Sequence, residues 1–428
     1  MRLYIKNGRV INPATKQDEI LDVAVENNKI TEVGRNLIPE SGSEVIDASG
    51  CFVMPGFIDL HVHLRDPGLT YKEDIETGTK AAARGGVTTV CAMPNTIPVV
   101  DSVKTLEYVQ KKAAKTALIH VEQLSAVTIG QKGEELVDMK TMVENGAIAF
   151  SEDGKSVMDI TLYAEAMKQA AGLGAVVMAH CEDKALVRGG VLNEGVASKK
   201  FGVPGITNSV EDIIAARDIF LANDHGTKLH LCHCSTAGSV ELVRMAKKMG
   251  ISVTAEVCPH HFTLTDADID REDASFKMNP PLRTEADVQA LIRGLQDGTM
   301  EVISTDHAPH SAEEKAKDFL HAPFGIVGLE TSASLTYTAL VATGILTPMQ
   351  MAEKMSYNPA KVIGMDGERG SIEVGKLADI VIFNPEMEHL VNAAEFESKG
   401  KNSPYIGQLL KGRVVTTICE GNVVYQYN

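Results

Sequence analysis

A chain of 428 residues is longer than one hydrophobic core usually serves, so two or three domains are expected. Its 44% hydrophobic and 23% charged content is ordinary globular composition, and a formal net charge of −16 argues against nucleic-acid and anionic-membrane partners. No apolar run approaches the roughly 18 residues of a membrane span. The opening MRLYIKNGRVINP lacks a signal-peptide pattern, and the seven cysteines include no C-x-x-C pair. A reducing, cytoplasmic setting is the expectation.

Residues 1–54 read as short strands broken by turns, with Asn7-Gly8 and Asn27-Asn28 as hairpin signals. From residue 55 to 363 the pattern changes. Apolar runs recur at 56–63, 87–93, 117–123, 147–153, 175–180, 228–233, 252–257 and 301–307. Helical segments such as EDIETGTKAAARGG, TLYAEAMKQAAGLG and EADVQALIRGLQDG lie between them, several ending in glycine. This α/β alternation predicts a (β/α)8 TIM barrel, with an open doubly wound sheet as the alternative. Residues 364–428 return to strands in ADIVIFNP and LLKGRVVTTICEGNVVYQ, and are expected to pair with 1–54 as one discontinuous β-domain.

Polar residues gather at the C-terminal ends of the apolar runs: His61, His63, Asp153, His180, His233 and Asp306. In a barrel that is the active-site face. Side chains alternate along a strand, so Asp59, His61 and His63 share a side, and two imidazoles there can grip one cation. Left unpaired, each would cost about 1–3 kcal/mol. In LHLCHCST, His233 at the strand end is preferred over His230, which faces the other way with Cys232 and Cys234. His260 and His261 in CPHH receive no ligand role. Histidines with aspartates suit zinc, and six candidates suit two metals sharing a carboxylate, hence metal-assisted hydrolysis.

PGFIDLHVHLRDPG, AARGGVTTVCAMPNT, FSEDG, MAHCED, LHLCHCST, EVCPHH, KMNPPLR, STDHAPH and PFGIVGLET, in this order, resemble the amidohydrolase superfamily, and within it class I dihydroorotases. The resemblance spans essentially the whole chain. It implies a (β/α)8 barrel with a β-sandwich from both chain ends and two zinc ions per subunit. By it, His61, His63 and Asp306 hold one ion and His180 and His233 the other. Asp153 bridges them, where hydantoinases, dihydropyrimidinases and allantoinases typically keep a carboxylated lysine. The implied reaction is reversible hydrolysis of (S)-dihydroorotate to N-carbamoyl-L-aspartate in pyrimidine biosynthesis, with Asp306 moving the proton. The resemblance also gives His63, Arg65, Asn95, Asn279, His310, Phe324 and Gly325 as substrate contacts, and a homodimer. Residues 311–323 are expected to form a mobile loop or lid. Another cyclic-amide hydrolase and a non-catalytic scaffold paralogue are the competing readings.

Overall fold

The repeating apolar runs form eight parallel strands in a computed structural model that describes residues 2–427. They are β1 (Phe57–Val62), β2 (Val87–Ala92), β3 (His120–Gln123, continued by Ser125–Ala126), β4 (Ala149–Ser151), β5 (Val176–Ala179), β6 (Lys228–Leu231), β7 (Val253–Val257) and β8 (Val302–Ile303). Each pairs with its neighbour in parallel register. The ring closes where Val62 bridges His307 and the His63 amide donates to the His307 carbonyl at 2.9 Å. The barrel, not the open sheet, is therefore the fold. Every residue of β1, β2, β4 and β5 is buried, which is why these runs read as continuously apolar.

Seven helices of the outer layer are α1 (Ile75–Arg84), α2 (Val103–Thr116), α3 (Met139–Glu144), α4 (Ile160–Leu173), α5 (Ser209–His225), α6 (Ala237–Lys248) and α7 (Glu285–Asp297). Asp74, Asp138, Asp159, Thr236 and Thr284 start five of them by accepting first-turn amide hydrogens. Helix α7 turns Val288, Leu291 and Leu295 inward, each contributing about 1.5–3 kcal/mol of burial. Helix α2 was not anticipated from sequence. It buries only Thr105, Leu106 and Val109.

The two chain ends form one eight-stranded sheet. Its N-terminal strands are Arg2–Asn12, Gln17–Glu26, Lys29–Gly34, Glu44–Asp47 and Phe52–Pro55; the C-terminal ones are Ile380–Leu390, Leu409–Cys419 and Asn422–Gln426. Phe52–Pro55 joins the halves by pairing antiparallel with Ile380–Leu390. A separate core of Ile5, Val23, Val25, Ile380, Ile382 and Ile418 sits within it.

Asn27-Asn28 turns with both residues left-handed (φ 49° and 61°), as the sequence implies. Asn7-Gly8 does not turn. Arg2–Asn12 is one strand with a bulge at this point, because Asn7 (φ 61°) donates its amide to Asp22 Oδ1 at 2.8 Å. Gly8 is needed there: a Cβ would lie 2.3 Å from Val53 Cγ2.

Candidate active site

The C-terminal ends of β1, β4, β5, β6 and β8 converge on one carboxylate. Asp153 Oδ1 lies 3.2 Å from His61 Nε2, 3.5 Å from His180 Nδ1 and 3.7 Å from His233 Nε2, and its Oδ2 lies 3.5 Å from His63 Nε2. Asp306 Oδ1 stands 3.0 Å from His63 Nε2 and 3.6 Å from His61 Nε2. His180 Nδ1 and His233 Nε2 are 2.9 Å apart. All six side chains are buried. His233 and Asp306 hold left-handed backbone (φ 33° and 49°), as does Arg65 (φ 58°); such strain in residues other than glycine collects at functional sites.

The electrostatics follow from this crowding. Burial opposes the ionised form of Asp306, yet hydrogen bonding to His63 and the charges of His61, His63 and His233 bring it down to about 2. Asp153 is held well below the carboxylate range against the same burial, chiefly by His61. Burial also opposes protonation of His180, but Asp153 and Glu182 push it up to about 10. The cluster thus draws positive charge inward. His61 Nε2 is buried and makes no hydrogen bond to any described residue, although two carboxylate oxygens stand within 3.6 Å. An orphaned imidazole nitrogen facing carboxylates and further imidazoles is a donor set that fits a borderline-soft divalent cation.

A supporting layer sets the ring orientations, and the sequence reading missed its centre. Glu256, the lone carboxylate of the apolar strand β7, takes His61 Nδ1 on Oε1 and His230 Nε2 on Oε2, both at 3.0 Å. Burial alone would raise its pKa; the two histidines hold it well below the usual range instead. His230 therefore serves Glu256, while His233 stands in the cluster. Asp59 Oδ1 accepts the backbone amides of His61 and Thr305, both at 3.1 Å, and burial raises its pKa to about 7. It aligns two strand ends rather than imidazole rings.

Over the cluster opens a cavity of about 200 Å³. Its lining includes His63, Arg65, Asn95, Asp153, His180, His233, Asn279, Asp306, His310, Phe324 and Gly325. Arg65 Nε donates to the Pro309 carbonyl at 3.3 Å, and its Nη2 lies 3.4 Å from His310 Nε2. Burial, together with the charges of Arg65 and Lys72, lowers His310 to about 3, so its ring is neutral. Asn95 links His63 Nδ1 (2.9 Å) to Asp153 Oδ2 (3.0 Å), and Asn279 donates to Glu182 Oε1 at 2.9 Å.

Residues 311–323 are not a free loop. Lys315 Nζ donates to the Lys277 and Pro323 carbonyls (3.1 and 2.9 Å), and the Phe319 ring is buried against Phe201. His260 and His261 lie on a short helix, Pro259–Thr263, outside the cavity lining, with His261 Nε2 on the Pro280 carbonyl at 3.0 Å. All seven cysteines are free and buried.

Comparison with known proteins finds relatives over the whole chain. The dihydroorotase of Pelotomaculum thermopropionicum is 50% identical over 426 residues, covering 100% of this chain and 99% of its own length. That of Clostridioides difficile is 48% identical over 99% of both chains. Among solved structures, dihydropyrimidinase from Brevibacillus agri superposes with a TM-score of 0.87 at 25% identity, covering 100% of this chain and 95% of its own. L-hydantoinase from Arthrobacter aurescens does so at 0.89 and 26%, covering 99% and 96%. Residues 50–239 match the model of dihydro-orotase-like proteins, and residues 340–425 match that of the amidohydrolase family. The chain belongs to the dihydroorotase family of amidohydrolases.

Proposed function

We propose that this enzyme reversibly hydrolyses (S)-dihydroorotate to N-carbamoyl-L-aspartate, with two zinc ions that His61, His63, Asp153, His180, His233 and Asp306 would hold, Asp153 as the shared ligand. The observation that carries the reading is the juxtaposition of the unpartnered His61 Nε2 and its carboxylates with a cavity that also presents Arg65. Bound there, zinc supplies the Lewis acidity that polarises a ring carbonyl and acidifies a water.

The chain's own residues do the rest. Arg65, held by the Pro309 carbonyl, takes the substrate carboxylate as a planar cationic fork, with Asn95 and His310 beside it. Asn279 and the backbone of Phe324 and Gly325 receive the ring. Asp306, which faces the cavity, would accept the proton of the attacking water and return it to the departing ring nitrogen.

Division into a 55–363 barrel and a β-sandwich of 1–54 with 364–428, a homodimeric state and a cytoplasmic location complete the proposal. An acid-rich chain suits that compartment, and no helix among the described residues is long and apolar enough to cross a membrane. Rates on dihydroorotate, dihydrouracil, hydantoin and allantoin test the function. Dihydroorotate should be turned over fastest, because only it and ring acids like it satisfy Arg65. A zinc-loaded enzyme inert on dihydroorotate overturns the reading.

A further inference from the structure

Asn402 belongs to no motif of the barrel. It lies on the connection between Ile380–Leu390 and Leu409–Cys419, which leaves the β-sheet and crosses to the mouth of the barrel. There its side chain is buried and fully used. Nδ2 donates to the carbonyls of Ala308 (3.2 Å) and Gly325 (3.0 Å), and Oδ1 accepts the His310 amide at 3.1 Å. Its own carbonyl accepts the Val327 amide at 3.0 Å.

One side chain thus ties together two loops that come from different parts of the cavity wall. The first, 308–310, aims Arg65: the Pro309 carbonyl accepts from Arg65 Nε, and His310 Nε2 lies 3.4 Å from Arg65 Nη2. The second carries Phe324, whose carbonyl lies 2.8 Å from His310 Nε2, and Gly325.

The crossing segment is itself anchored. Ser398 Oγ bonds Glu73, and Gly400 packs so closely that a Cβ there would lie 2.6 Å from Pro309 Cβ. A buried amide with all its bonds made fixes geometry, because each bond lost leaves a carbonyl without a partner.

We propose that Asn402 is a positioning residue for the carboxylate end of the substrate pocket, setting the aim of Arg65 through the 308–310 and 324–325 loops. This rests on the dihydroorotase reading, since it assigns Arg65 to the substrate carboxylate. Asn402 touches no metal-cluster residue, so its effect falls on substrate capture and not on the metal.

The test is a double-mutant cycle on the metal-loaded enzyme, Asn402→Asp with Arg65→Ala, reading KM, kcat and zinc content. Asn402→Asp keeps the acceptor for His310 and sets a carboxylate against two carbonyls. KM for dihydroorotate should rise about tenfold with kcat within about threefold and zinc content unchanged. In the Arg65→Ala background the same substitution should change kcat/KM less than twofold, the non-additivity expected of coupled residues. Should Asn402→Asp not yield folded protein, Asn402→Ser is read in the same way. An unchanged KM, an additive cycle, or a kcat loss that tracks zinc loss overturns the proposal. A wild-type enzyme without dihydroorotate turnover overturns the dihydroorotase reading, and this proposal with it.

Discussion

Asp153 Oδ1 sits 3.2 Å from His61 Nε2 without a hydrogen bond between them, two buried polar atoms side by side with their angles wrong for each other. A cation between them satisfies both. Asp153→Ala should therefore lose bound zinc together with activity, by at least 100-fold in kcat. Elemental analysis of purified protein alongside rates is the check; full zinc content with lost rate would move the shared carboxylate elsewhere.

Glu256 does not itself line the substrate cavity, yet it holds His61 and His230 at 3.0 Å each and accepts the His233 amide at 3.1 Å. Glu256→Gln keeps the shape and surrenders one acceptor. Zinc affinity is expected to drop about 10- to 100-fold, as for other partners of ligand histidines. Competition with a chelator measures it, and an unshifted zinc affinity would remove Glu256 from that role.

Gly325 has φ +125°, and a Cβ there would meet Ala308 Cβ at 2.6 Å and the Ala308 carbonyl at 3.0 Å. Gly325→Ala must displace one of the two loops that line the cavity. The expected result is a KM increase of about tenfold with a stability loss of roughly 1–3 kcal/mol. Steady-state kinetics and thermal melts decide it; a variant that matches wild type in both would show that the loops yield freely.

Far from the site, Lys354 is buried with Nζ on the Met300 carbonyl at 3.0 Å. Burial, countered in part by Glu353 and Glu301, lowers its pKa from 10.5 to about 8. Below pH 8 the ammonium is charged in both folded and unfolded chains, and folding carries the whole burial penalty. Between about 8 and 10.5 the unfolded chain binds more protons, so stability contributed at this position rises with pH. Lys354→Met removes the penalty. It should stabilise the protein by roughly 1–2 kcal/mol at pH 7, net of the lost hydrogen bond, and by less near pH 10. Chemical denaturation at both pH values tests this, and an advantage that grows with pH would contradict it.

The barrel and its cluster were legible because five strand ends place a polar side chain where packing asks for an apolar one, as at His61, His63 and His180. Glu256 was not, since one glutamate in SVTAEV carries no spacing pattern; only its distance to two histidines reveals it. Asn7-Gly8 misled because the tendency of asparagine toward left-handed backbone serves a bulge as well as a hairpin. Asn402 was invisible for a different reason. Its partners at 308, 310 and 325 lie some 77 to 94 positions away, and no local periodicity encodes such a bond.

Closure of the ring between His63 and His307 also bears on how the molecule is made. His63 and Asp306 stand 243 positions apart in the chain and 3.0 Å apart in space. A nascent chain emerging from the ribosome exposes two histidines long before the aspartate that completes their set exists. The centre can assemble only after the last strand has docked against the first. Completion of the cluster thereby coincides with completion of the barrel, and an interrupted chain ending short of residue 306 would carry imidazoles but no finished centre.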